Sequence, residues 1–129
     1  MEKKKKLKEP KVFTVESAKQ TIPFVKRIVA DIMESSRELR NIEKSLRLLN
    51  PLQKRKSIID RKEELLKNQE EYYKELDLVG CHIKNALLGV VAYYWDRGDG
   101  LIVELCWRYG DDEIMYWNEI GSEKIIPIA

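Results

Sequence analysis

Histidine is almost missing from this 129-residue chain, with a single copy, and cysteine is scarce, with two. A closed structural zinc site normally draws on four ligands, often in closely spaced pairs. The sequence holds no C-x-x-C, and Cys81 and His82 stand side by side without such company. The expectation is therefore a thiol in or near the core beside a surface histidine, with no metal, no cofactor and no catalytic residue assigned. No apolar run approaches the roughly 20 residues that a membrane span needs. The basic start, MEKKKKLKEPK, is not followed by an apolar segment of the signal-peptide kind. Neither a membrane span nor a secretory leader is expected, and two cysteines in an unsecreted chain fit reduced thiols in the cytoplasm. The same reasoning argues against a Cys81–Cys106 disulfide. Helix-turn-helix, zinc-finger and aromatic RNA-binding signatures are also missing. Glutamine is sparse while Lys, Glu and Ile abound, a thermophile-like balance.

What is present is charge, and it is unevenly placed. Charged residues make up 36% of the chain, and the net charge of +2 hides a division. Residues 1–62 carry 18 Lys/Arg against 8 Asp/Glu, a balance of +10, whereas residues 63–129 carry 6 against 14, a balance of −8. A chain with a basic half and an acidic half can hold a polyanion on one face or pair with itself head to tail.

The length suits one domain. Residues 1–11 read as a disordered basic tail, and residues 12–129 as a single α+β domain. Thr14 is a good N-cap with Phe13 placed to staple the first turn. Apolar residues then recur from Ala18 to Leu49 in steps of three and four, which predicts one long amphipathic helix with a coiled-coil-like seam. Pro23 should kink it, and Asn50-Pro51 should end it. Pro51 is placed to open a second helix. That helix carries a stripe of Ile58, Leu65, Tyr72, Leu76 and Val79, widened by Ile59, Leu66 and Tyr73, with Gly80 as its C′ residue. The result is an antiparallel helical hairpin over 14–80.

After Gly80 the pattern changes to β-branched and aromatic. The stretches at Gly89–Trp95, Leu101–Tyr109 and Glu113–Trp117, parted by the turns DRGDG and Gly110-Asp111, predict a three-stranded antiparallel meander over 89–118. The tail 119–129 can add an edge segment, where Pro127 is tolerated. In the middle strand Leu101, Val103, Leu105 and Trp107 share one face, the expected core, and Ile102, Glu104, Cys106 and Arg108 share the other. Trp107 and Tyr116 are expected to supply the bulk between sheet and helices, with Trp117 reaching a surface or a partner.

Glu104, Arg108, Trp117 and Glu119 form the candidate pocket or interface, provided that the last turn puts Trp117 on the face of Glu104. A one-residue change of register reverses that. Arg108 would keep a neighbouring carboxylate ionised rather than free it for acid–base work. The hairpin tip supplies candidate nucleic-acid contacts at Arg47, Lys54, Arg55, Lys56, Arg61 and Lys62, which would bind a backbone without reading sequence.

Three stretches, FTVESAKQTIPFV, GCHIKNALLGVVAYY and VELCWRYGDDEIMYWNEIG, resemble the domain-of-unknown-function 2203 family (DUF2203). The most specific part is L-C-W-R-x-G followed by I-x-x-W-x-E, Leu105 to Gly110 and Ile114 to Glu119. The resemblance implies a small helical hairpin with a C-terminal sheet, and it transfers no reaction. Family members often read W-H-E where this chain has Trp117-Asn118-Glu119, and often carry acidic residues where it has Asn85, Leu87 and Ala92. If those groups form a metal or catalytic site in the family, most of it is absent here.

The leading expectation is a non-enzymatic, homo-oligomeric assembly or binding protein. Two long helices carry more apolar seam than three short strands can cover, and a four-helix bundle of two hairpins is the simplest solution. The alternatives are a nucleic-acid-associated protein using the basic tail and tip, and a small enzyme or metal-binding protein with a polar site on the sheet.

Overall fold

The computed structural model describes residues 10–48 and 55–128. Two helices lead into a sheet, in the order β1 (Val12–Phe13), α1 (Val15–Leu48), α2 (Arg55–Val79), β2 (Cys81–Asn85), β3 (Val90–Asp96), β4 (Ile102–Arg108), β5 (Tyr116–Asn118) and β6 (Ile126–Pro127). The expected disordered tail falls almost wholly outside the described residues, as does the Asn50-Pro51 turn. Thr14 caps α1 as its residue type predicts. Its Oγ1 accepts the Ser17 N–H at 2.9 Å, and Ser17 Oγ returns the favour by accepting the Thr14 N–H at 2.9 Å, a reciprocal box closed by serine in place of the usual glutamate. α1 continues through Pro23 as a single element. Gly80 ends α2 with a positive φ and donates its N–H to Leu76 O at 2.9 Å.

The sheet is larger than a three-stranded meander. It has six strands in the order β1-β3-β4-β5-β6, with β2 also on β3. The antiparallel β3-β4-β5 meander is there. Its outer edge, along β3, is shared by two short strands. β2 pairs antiparallel with Val90 to Tyr93, and β1 pairs parallel with Tyr94 and Trp95. Phe13, placed by sequence to staple α1, instead belongs to β1 and packs edge-on against Tyr93 with ring centroids 5.0 Å apart. β6 extends the far edge, with Pro127 opposite Tyr116. The β2–β3 connection is a tight α-turn, Gly89 N–H to Asn85 O at 2.9 Å. It leaves too little alternating apolar pattern in CHIKN for sequence to mark a strand there.

The helices cover one face of the sheet. Val103, Leu105 and Trp107 of β4 are buried there with Val91, Tyr93, Trp117 and the α1 residues Val25, Val29 and Ile32. Tyr93 lies wholly within this core, yet its hydroxyl is satisfied by Thr21 Oγ1 of α1 at 2.7 Å. Cys81 lies in the same core, and burial pushes its thiol pKa up to about 12. Cys106 is on the opposite face, beside Ala92. Both cysteines are free.

Farther out the hairpin holds itself together with polar groups. Gln69, buried between the helices, donates to Ser35 Oγ at 3.0 Å and Ser36 Oγ at 2.8 Å. Arg61 grips Glu38 through two bonds of 2.8 and 2.9 Å and reaches Glu64 at 2.9 Å. The Gln69 and Arg61–Glu38 bonds join α2 to α1 across the seam, while Arg61–Glu64 lies within α2.

Candidate functional site

Register decides what the sheet presents. Leu105 pairs with Trp117, so Trp117 stands on the core face, and Glu104 pairs with Asn118 on the other. The expected meeting of Glu104 with Trp117 therefore does not occur. Trp117 is buried against the core, with Arg97 from the β3–β4 turn over its ring at 4.7 Å. The roles expected of Trp117 and Tyr116 are exchanged, since Tyr116 pairs with Cys106 on the outer face. The strand opens three residues later than its apolar stretch suggests, at Tyr116 rather than Glu113, because Ile114 turns into the core from the preceding loop. The side chains of Arg108 and Glu119 are exposed, and Glu119 joins the site of Glu104 through its backbone carbonyl, which accepts from Asn118 Nδ2. Of the four expected residues only Glu104 has its side chain in a built polar site.

That site is a knot around one carboxylate. Glu104 is only 5% exposed. Its Oε1 accepts from Lys84 Nζ of β2 at 3.0 Å and from Asn118 Nδ2 of β5 at 3.0 Å, and its Oε2 lies 3.0 Å from His82 Nε2. Burial alone raises a carboxyl pKa, but the hydrogen bonds from Asn118 and Lys84, with the charges of Lys84 and His82, outweigh it and hold Glu104 below the ordinary carboxylate range. An ionised carboxylate only accepts, so the ring nitrogen facing it is the one that carries hydrogen. Asn118 is fixed just as firmly. Its Nδ2 also donates to Glu119 O at 2.8 Å and Ser122 O at 3.1 Å, and its Oδ1 accepts from Cys106 Sγ at 2.6 Å. Burial pushes the Cys106 thiol pKa up, so it stays a donor.

The knot ties β2, β4, β5 and the 119–124 loop together, and its acid–base groups are committed to one another. Only His82, with its side chain 37% exposed, meets an open cleft of about 610 Å³ shared with Asp77, Leu78 and Tyr94. Among the described residues no three His, Cys, Asp or Glu side chains converge as metal ligands. Sequence analysis missed Asn118 as a site residue because its role depends on the Leu105–Trp117 register, which the turn decides. The alternation within each strand could not have found it, because it leaves open which face of β5 meets which face of β4.

Part of the hairpin tip's charge, that of Arg61 and Lys56, is engaged within the chain, while Lys62 and Arg55 make only long contacts. Arg61 belongs to Glu38 and Glu64. Lys56 pairs with Asp60 at 3.3 Å, Lys62 stands 3.9 Å from Glu43, and Arg55 reaches Leu46 O at 3.5 Å. Lys54 lies outside the described residues. Arg47, in the last turn of α1, is exposed. No helix among the described residues is long and apolar enough to cross a membrane.

Fold and site together define a class: a helical hairpin mounted on one face of a mixed sheet, with a saturated polar knot on the other. The chain belongs to the family described as "Uncharacterized conserved protein (DUF2203)", whose model matches residues 11–122. No curated protein and no solved structure matches it.

Proposed function

We propose that this protein acts as a non-enzymatic, homo-oligomeric assembly or binding protein whose hairpin is the contact element. The observation that carries this reading is the open flank of α2. Leu66 is 48% exposed midway along the arm and, with Gln69, Glu70 and Tyr73, lines an unfilled depression of about 340 Å³. α1, with 34 residues, is about 50 Å long, whereas the strands are seven residues or fewer, so the sheet covers only the root of the hairpin. The chemistry of the knot supports the same reading, because its carboxylate is ionised and fully engaged and both thiols are buried and protonated. Light scattering over about 1–100 µM tests it. The expected mass is twice the 15.2 kDa of one chain or a higher multiple. A mass of one chain across the range overturns the reading.

A further inference from the structure

α2 carries apolar doublets at seven-residue spacing: Ile58-Ile59, Leu65-Leu66 and Tyr72-Tyr73. The first members face the hairpin seam, where Leu65 and Tyr72 border Ser35 and Glu38 of α1. The second members lie about 100° around the helix and form a lateral stripe that the described residues leave 48% exposed at Leu66, with Tyr73 half-buried at its sheet end. Seven-residue repetition of this kind is the mark of a coiled-coil seam.

Four charged residues complete the stripe. Arg55 and Lys62 lie on the N-terminal side of Leu66, and Glu70 and Asp77 on the C-terminal side. Read along α2, the seven positions 55, 59, 62, 66, 70, 73 and 77 are separated by steps of four, three, four, four, three and four, which keeps them on one face. The spacing is symmetric about Leu66, and the charge is antisymmetric about it.

We infer that α2 pairs with α2 of a second copy in antiparallel orientation, with the two-fold axis at Leu66. This rests on the homo-oligomer reading and adds the surface and the direction. In that arrangement Leu66 meets Leu66 of the other copy, Ile59 meets Tyr73, Lys62 meets Glu70 and Arg55 meets Asp77. Every opposed pair is apolar–apolar or of opposite sign, and each heterologous pair occurs twice because a two-fold contact is self-complementary. Parallel pairing would put Lys62 on Lys62, Glu70 on Glu70, Arg55 on Arg55 and Asp77 on Asp77, each repulsive. The internal contacts of Lys62 and Arg55, 3.9 Å to Glu43 and 3.5 Å to a carbonyl, are at the limit of reach and leave both cations available. On the larger scale the same orientation lays the basic tip of one arm toward the acidic sheet end of the other.

Disulfide trapping in the full chain tests this, with the native Cys81 and Cys106 left in place because both are buried. Ile59→Cys and Tyr73→Cys variants are purified separately, mixed and mildly oxidised. The mixed disulfide should exceed either homodisulfide by about tenfold. As a check that needs no new cysteine, Lys62→Glu and Glu70→Lys should each weaken association about tenfold, and the double reversal should return it to within about threefold of the wild type. Ile59→Cys homodisulfides would mean parallel pairing and overturn the orientation while the assembly reading stands. A dimer by light scattering that traps no cross-link and ignores both charge reversals would overturn the stripe. A single-chain mass would overturn both.

Discussion

Glu104 shows how one residue's state follows from its neighbours. A carboxylate this deeply buried is costly to ionise unless donors surround it, and here Lys84, His82 and Asn118 supply them from three directions. Removing the carboxylate takes the charged acceptor from Lys84 and His82 and leaves Asn118 only backbone carbonyls. Glu104→Ala should therefore cost about 2–4 kcal/mol in denaturant unfolding. The pH dependence has a defined sign. Unfolded, this carboxyl takes up its proton near pH ~4.3, whereas folded it holds out to lower pH. In the interval between, the unfolded chain binds more protons, so the contribution of Glu104 is complete above about pH 5 and is lost as pH falls through the folded value. The stability gap between wild type and Glu104→Gln should close on acidification through that window. A gap that widened there would contradict an ionised Glu104. Little of this was readable beforehand. Glu104 drew notice as a charge on a strand, but its partners come from β2 and β5, and Asn118 is set opposite it by a turn whose register the residue types leave open.

At the scale of elements, the β2–β3 turn is where the sheet meets α1. Gly89 adopts φ +72°, and a Cβ there would stand 2.5 Å from Met33 Sδ and 2.8 Å from Tyr109 Cβ. Gly98, in the β3–β4 turn, also has positive φ, but a Cβ would meet nothing within 4 Å. Gly98→Ala should cost only the left-handed backbone penalty, about 1–2 kcal/mol. Gly89→Ala should add overpacking of about 1–3 kcal/mol. Urea titration of both variants measures the difference, and equal losses would mean that the close packing of α1 on this turn is not what constrains Gly89. The two helices and strands β3 and β4 were legible because their periodicities of 3.6 and 2 run for seven residues or more, and the short β5 was marked by the Gly110-Asp111 turn and its aromatic pair. β1 and β2 were not, because two- and five-residue strands carry too short a pattern. They pair with β3 only once the hairpin has brought Val12 and Cys81 to the same edge.

For the whole molecule, the governing fact is the separation of charge along its length. Along the hairpin, Arg55–Lys62 at the start of α2 holds four Lys/Arg against one Asp, whereas the rest of α2 holds two Lys against six Asp/Glu and the sheet region 80–128 four Lys/Arg against eight Asp/Glu. An extended arm of this kind, with its own ion pairs between Arg61, Glu38 and Glu64, has an unspent complement of opposite charges at its two ends. Association of two copies should weaken as salt rises, because exposed pairs are screened beyond a Debye length of about 8 Å at 0.15 M and about 3 Å at 1 M. Sedimentation at 0.05 and 0.5 M NaCl should show a several-fold weaker dimer at the higher salt. Strengthening with salt would point to a purely apolar contact in place of the charge-matched one.

Sequence alone determined the two long helices, the Thr14 cap, the Gly80 stop and the inward side chains Val103, Leu105 and Trp107 of β4, but not the expected fourth, Leu101, which is exposed ahead of the strand. Each of these is a local property: a side chain's spacing decides its face, and a cap needs only its own turn. Tertiary structure alone decided that Trp117 lies with the core and Asn118 with Glu104, that β1 and β2 share the edge of β3, and that Arg61 belongs to Glu38. These depend on which strands and helices come to lie together and in what register. A shift of one residue along a strand changes which face a side chain occupies, and nothing in the local pattern around the last turn specifies that shift.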